Sequence, residues 1–390
     1  MDQKQISNPV QFHGKGGEFF GIWIVNVLLS IITLGIYSAW AKVRTKRYFY
    51  GNTQIASDNF EYHATPIQIL KGRIVAFVLI VIWTIGLSVH PAISSLFILI
   101  FYAALPWLIW SNARFDCAMT SYRNVHFSFV GSLGGAYKSL MGRGFVALLA
   151  IGAYFALVGF AAQFSQPLVV VLVIGSIFVM AAVQAWVLAG MHGYFINGYR
   201  YGDWQFSGDV EVGFFIKLAF KAAGLFLAAV IGLGLIIALL VGGLASFEAL
   251  TNPYMVMAVI MGAAASYVLL LIVVGLLGAA MFAYMAVQTR NYLFSRVVIA
   301  KEAQENRFGL TSSMSTSGYV GLVVTNFLIL IFTLGLGRAW VMVRTSHYVA
   351  EHTSVEGDMD LLLAADQDSD VKSAIGDEVA QAFDVNLGIG

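Results

Sequence analysis

Uncharged apolar stretches of roughly bilayer length recur along this chain of 390 residues, and nothing else in it narrows the possible folds as far. A transmembrane helix needs about 20 mostly apolar residues. Candidate stretches lie near residues 19–40, 74–89, 92–110, 144–163, 168–189, 222–245, 255–287 and 319–340. Of all residues 59% are hydrophobic and only 11% charged, whereas soluble domains carry roughly 25% charged residues. A surface facing hydrocarbon is satisfied by Leu, Ile, Val, Phe and Ala, provided that backbone polar groups are bonded within the chain. The expected fold class is an all-α membrane protein, a polytopic helical bundle.

Three pairs of stretches are separated only by short turns: His90-Pro91, Gln163 to Pro167, and a turn containing Glu248, Asn252 and Pro253. These read as tight helical hairpins, and their turns carry no Lys or Arg. The longer connections near 41–73, 111–143, 190–221 and 288–317 hold 17 of the 22 Lys and Arg residues, so the positive-inside rule assigns them to the cytoplasm. They have strand-turn-strand character, as in Tyr199 to Phe206 around Gly202-Asp203 and in Thr53 to Tyr62 around Ser57-Asp58-Asn59. Small cytoplasmic β-hairpins are expected there. The first 20 residues lack the charged, apolar and small-residue succession of a cleavable signal, so the first apolar stretch should be retained.

The chain also resembles itself. Displaced by 300 positions, Gly21 to Asp58 matches Gly321 to Asp358 at 15 of 38 positions without a gap, Asn26/Asn326, Thr33/Thr333, Trp40/Trp340, Arg44/Arg344 and Tyr48/Tyr348 among them. Weaker copies of the pattern W-x3-R-x3-Y lie at Trp110/Arg114/Ala118, Trp186/Gly190/Tyr194 and Ala286/Arg290/Phe294, and Phe12, Phe60, Phe127, Phe206 and Phe308 precede the apolar parts. Five pseudo-repeated units result, near 10–59, 60–126, 127–205, 206–306 and 307–360, within a transmembrane domain of residues 1–360. The outer units are too short for two full spans. Six crossing helices plus two re-entrant or short helical segments, folding back at Thr33-Leu34-Gly35 and Thr333-Leu334-Gly335, are expected; eight crossings are the alternative. Residues 361–390 form an acidic tail, and from 356 onward nine Asp or Glu stand against one Lys. Within the tail Val371, Ile375, Val379 and Phe383 recur at helical spacing behind a possible Ser369 cap, which reads as a short amphipathic helix, loosely docked.

In W-x3-R-x3-Y the three side chains share one helix face, with Trp at the headgroup boundary, Arg suited to phosphate or carboxylate, and Tyr amphipathic. The plain reading is an interfacial anchor. The functional reading is a set of lipid- or anion-binding positions: Trp40, Arg44, Tyr48, Arg114, Arg290, Trp340, Arg344 and Tyr348. Asn26 and Asn326 are amides inside apolar stretches, either interhelical hydrogen-bonding groups or solute ligands. No span carries a central charge of the kind ion-coupled transport uses. The single cysteine, Cys117, cannot build a disulfide within the chain or a thiolate metal cage. The seven histidines show no HxH or HExxH spacing, and no GxxxxGK[ST] or G-x-S-x-G motif occurs. No catalytic residue, metal or cofactor is expected, and the chain is read as not an enzyme.

With TLGIYSAWAKVRTKRYFYGNT at residues 33–53 and TLGLGRAWVMVRTSHYVAEHT at 333–353, the chain resembles the YjgN-type family of bacterial inner-membrane proteins, a domain of unknown function, over residues 10–360. The resemblance implies a multi-pass protein of the bacterial cytoplasmic membrane and supplies no activity. The function expected is non-enzymatic binding or transport of a lipid or small amphipathic solute, with the bilayer, and possible specific phospholipid, as partner. The alternative is a scaffold recruiting a protein through its hairpins and acidic tail, and a passive channel is a third reading.

Overall fold

The computed structural model describes residues 6–244, 253–301, 304–366, 371 and 374–382. It overturns the all-α expectation. Eleven short strands join into one antiparallel sheet in the order β1-β11-β10-β9-β8-β7-β6-β5-β4-β3-β2. They are β1 (Ser7–Pro9), β2 (Gln11–Phe12), β3 (Thr53–Ile55), β4 (Asp58–Tyr62), β5 (Thr120–Tyr122), β6 (Val125–Phe129), β7 (Tyr199–Tyr201), β8 (Trp204–Ser207), β9 (Val298–Ala300), β10 (Arg307–Ser312) and β11 (Thr353–Glu356). β1 pairs with β11 and β2 with β3, while only Val10 separates β1 from β2. The sheet therefore curls into a ring, interrupted at Val10, whose N–H bonds to Thr353 O at 2.9 Å.

The hairpins expected from the turn signals do form. Ala56 and Ser57 join β3 to β4 at φ 47° and 69°, and Arg123 and Asn124 join β5 to β6 at φ 48° and 61°, the left-handed pair that a tight hairpin turn requires. The outer edge of each hairpin then pairs with the next, as Phe60 does with Tyr122 and Phe127 with Tyr201. Closing the series leaves no free row of backbone donors and acceptors, which explains why isolated hairpins give way to a continuous sheet.

Between hairpins the chain leaves the sheet as a helical pair and returns. The pairs are α1 (Gly16–Ile32) with α2 (Ser38–Gly51), α3 (Pro66–Val89) with α4 (Pro91–Ala118), α5 and α6 (Leu133–Ala136 and Arg143–Ala161, joined by the π-helical turn Tyr137–Gly142) with α7 (Gln166–Ile196), α8 (Val212–Leu244) with α9 (Pro253–Arg296), and α10 (Thr316–Phe332) with α11 (Arg338–Glu351). Among the described residues six helices are long and apolar enough to cross a membrane, one pair in each of the three middle excursions. The turn at Glu248, Asn252 and Pro253 begins outside the described residues, which resume at Pro253.

The outer pairs are different. Because β2 pairs with β3 and β10 with β11, both ends of each outer helical hairpin sit on the sheet side, which excludes one crossing apiece and with it the eight-crossing arrangement. Each tip is a self-satisfied turn. Leu34 and Gly35 adopt φ 50° and 92°, Gly35 N donates to Ser30 O at 2.7 Å, Thr33 Oγ1 donates to Leu29 O at 2.7 Å and accepts from Tyr37 N at 2.9 Å. The second tip repeats this at Leu334 and Gly335, with Thr333 Oγ1 bonded to Ile329 O and Gly337 N. Bonding of this kind satisfies backbone polar groups that hydrocarbon would leave unpaired. Val25, Leu28, Ile31 and Leu34 are exposed, an apolar length of about 14 Å at 1.5 Å per residue. That is about half of a 30 Å hydrocarbon core, too short for either outer hairpin to cross it and the length that a re-entrant element of half depth would need.

The strand ring is filled rather than hollow. Trp204, Phe308, Tyr122, Tyr201, Val355 and Met359 are buried in one cluster, Trp204 meeting Phe308 edge to face at 5.2 Å. Phe60, Phe127 and Phe206 pack against it. The residues after β11 cross this core: Arg123 donates to Met359 O at 2.6 Å, Trp204 Nε1 to Leu363 O at 3.1 Å, and Ala365 N to Asp203 at 3.2 Å. The chain then reaches α12 (Ile375–Ala382), which packs against α3 and α4. Ala374, Glu378 and Val379 are buried there, so the described part of the tail is packed down rather than loosely docked. Ser369 and Phe383, read as its cap and last apolar position, lie outside the described residues.

Candidate functional site: a cationic groove between the outer hairpins

The W-x3-R-x3-Y positions do not converge on one site. Tyr48 accepts from Lys15 N at 2.8 Å and Tyr348 donates to Ser315 O at 3.1 Å, so each ties the end of its hairpin to the beginning. Trp340 stacks on Phe20 at 4.6 Å and covers Gly16, joining the last hairpin to the first, whereas Trp40 is partly exposed and stacks on Tyr37 at 6.2 Å. Arg114 lies 4.7 Å over Trp110, Arg290 lies 4.2 Å over Phe294 and bonds Thr353, and Arg344 bonds Thr325 at 3.1 Å; Arg44 is exposed. Where the pattern has Gly190 in place of arginine, Arg143 of α6 fills the space, 4.9 Å over Trp186 and donating to Trp186 O at 2.7 Å. A guanidinium on an aromatic face thus recurs as packing.

The opposite face of α2 carries the more suggestive geometry. Ser38, Lys42 and Lys46 follow one another at i, i+4 and i+8, about 200° round the helix from Trp40, Arg44 and Tyr48. They line a groove of about 530 Å³ at the junction of three helical pairs: α1 contributes Trp23, Asn26 and Ser30, α3 contributes Arg73, and α11 contributes Arg338 and Met342. Asn26 is only 4% exposed, and neither its amide nitrogen nor its oxygen has a hydrogen-bond partner. Its counterpart Asn326 donates across the second hairpin to Thr345 Oγ1 at 3.1 Å. The two amides that look equivalent in sequence are therefore used differently, one to join helices and one left open on a groove.

Four cations line the groove. Lys46 is ion-paired with Asp116 of α4 at 2.5 Å; burial, the largest single influence, would lower its pKa, but the Asp116 carboxylate together with the nearby Tyr62 and Tyr50 outweighs it and the net shift is upward. Lys42 and Arg73 both engage Glu378 of the tail helix, Arg73 Nε at 2.7 Å. Arg338, at the tip end of α11, is exposed. Asn26 stands out in the sequence and these cations do not, because they come from three separate elements. The available signal was the Ser38, Lys42, Lys46 stripe, with Arg338 standing at the position displaced by 300 from Ser38. Among the described residues no group of three or more His, Cys, Asp or Glu side chains is placed to hold a metal ion.

Six helices long and apolar enough to cross a membrane, with two shorter apolar helices beside them, define a multi-pass membrane protein. A family model for bacterial proteins of unknown function, DUF898, matches residues 7–382, and the chain belongs to that family. It is 27% identical to inner membrane protein YjgN of Salmonella typhimurium (strain LT2) over 382 residues, covering 91% of this chain and 90% of the relative. Proteins of the same name from Escherichia coli O157:H7 and K12 are 35% and 34% identical over stretches covering about a third of each chain. No solved structure matches. The chain is a multi-pass protein of the bacterial inner membrane.

Proposed function

We propose that the groove binds the anionic headgroup of a phospholipid or a similar phosphate-bearing amphiphile in the cytoplasmic leaflet, and that the protein is a non-enzymatic lipid-binding or transport-type protein. The observation that carries this reading is Asn26, a nearly inaccessible amide with both polar atoms unpaired on a groove lined by Lys42, Lys46, Arg73 and Arg338. An unpaired amide in an apolar setting costs about 1–3 kcal/mol, which a ligand offering an acceptor and a donor would offset. A phosphate diester with free hydroxyls offers both. The half-depth hairpins keep this groove near one membrane surface, where headgroups lie. The likeness of the units suggests that the architecture arose by internal repetition, with the short outer units specialised to form the groove. The aromatic packing that fills the strand ring weighs against a passive channel through it.

Native mass spectrometry of protein released from membranes containing phosphatidylglycerol and phosphatidylethanolamine tests this. Retained phosphatidylglycerol, reduced about tenfold by Lys42→Gln with Arg73→Gln, is expected. Equal retention by parent and double variant would remove the proposal.

A further inference from the structure

We infer that the acidic tail helix is an internal competitor for this groove, its Glu378 carboxylate holding the cations that an anionic headgroup would otherwise engage. The inference rests on the headgroup reading and adds its regulation. Glu378 is 3% exposed, and among the described residues Lys42 and Arg73, both groove-lining, are ion-paired with it. A carboxylate buried to this degree is tolerated only where cations and hydrogen bonds replace water, so the tail docks as a unit with that ion triad.

The surroundings are shaped for the tail. Gly72 of α3 permits its close approach, since a Cβ there would lie 2.7 Å from Ala374 O and 2.8 Å from the Glu378 side chain. Ile375 and Val379, one turn apart, face a second, apolar space of about 420 Å³ lined by Val75, Leu79, Phe101 and Leu108. The helix is also tethered. Residues 359–366 are fixed to the strand ring through Arg123, Trp204, Asp203 and His126, the last of which donates its backbone N–H to Asp366 at 2.8 Å. A tethered ligand acts at a high effective concentration without needing strong intrinsic affinity, so it can be displaced by a ligand abundant in the membrane. The same two cations cannot pair fully with Glu378 and with a phosphate. Binding of headgroup and docking of tail therefore oppose each other, and each weakens the other by the same factor.

The full chain in detergent micelles, spin-labelled at the exposed Ala382→Cys with Cys117→Ser, is titrated with short-chain phosphatidylglycerol and, separately, short-chain phosphatidylcholine. Phosphatidylglycerol should mobilise the label and phosphatidylcholine should not. Glu378→Gln should mobilise it without lipid and bind phosphatidylglycerol about tenfold more tightly, and Gly72→Ala should act in the same direction through sterics alone. If Glu378→Gln binds phosphatidylglycerol no more tightly than the parent while Lys42→Gln and Arg73→Gln weaken binding, the tail is not a competitor and the headgroup site stands. If no variant binds phosphatidylglycerol, the headgroup site itself is lost and the tail's role falls with it.

Discussion

Asn26→Leu should make the protein more stable and less able to bind lipid. The amide is 4% exposed and neither of its polar atoms is paired, so replacing it by an apolar side chain of similar volume removes a desolvation cost without breaking a bond. The expected gain is about 1–3 kcal/mol. Asn326→Leu provides the internal comparison. There the replacement gives up the bond to Thr345 Oγ1 while removing one unpaired oxygen, so the two effects nearly cancel and the change should be within about 1 kcal/mol of zero. Reversible unfolding in mixed micelles by a denaturing detergent reports both differences on the same scale. Phosphatidylglycerol affinity of Asn26→Leu should fall about tenfold, the worth of one hydrogen bond to a charged group. A loss of stability greater than about 1 kcal/mol in Asn26→Leu would mean that the amide joins helices, and the reasoning that makes it a ligand would be refuted.

Other consequences concern the elements around the groove. Asp116→Asn deprives Lys46 of its carboxylate, leaves burial as the leading influence on that amine, and should cost about 1–2 kcal/mol in the same unfolding assay. Arg143→Ala empties the space beside Gly190 and breaks the bond to Trp186 O, for an expected loss of about 2 kcal/mol. His63, held below its usual pKa first by burial and then by the neighbouring His126, binds fewer protons folded than unfolded. Stability should therefore decline as pH falls from about 6.5 toward its lowered pKa. Melting temperatures measured from about pH 8 to about pH 5 should show a shallower decline in His63→Gln.

The helical part of this architecture can be read from the chain because a membrane-length apolar run has few alternatives, and the turns of the outer hairpins because Thr33-Leu34-Gly35 and Thr333-Leu334-Gly335 carry a turn signal inside an apolar stretch. The strand ring is hidden for a physical reason. Its strands are two to six residues long, too short for alternation to be distinctive, and Phe60 finds its partner Tyr122 only after a whole helical hairpin intervenes. The groove was partly visible in Asn26, an amide where water is scarce. Its cations were not, since Lys42, Lys46, Arg73 and Arg338 come together only through packing of three helical pairs. Glu378 gives no sign at all: in a tail of net negative charge a carboxylate reads as solvated, and its partners Arg73 and Lys42 lie 305 and 336 positions away. The W-x3-R-x3-Y stripe lies on the face of α2 where Trp40 and Arg44 are exposed, and the groove lies on the other.

Everything about the groove depends on both outer hairpins entering and leaving from the sheet side. Single thiols at Gly51→Cys and Glu351→Cys, both exposed, and at Gln163→Cys in the turn between α6 and α7, each with Cys117→Ser, can be challenged with a membrane-impermeant maleimide in spheroplasts and in inverted vesicles. Positions 51 and 351 should react only in inverted vesicles and position 163 only in spheroplasts. Reaction of 51 and 351 from opposite faces would contradict the strand ring and the groove built upon it.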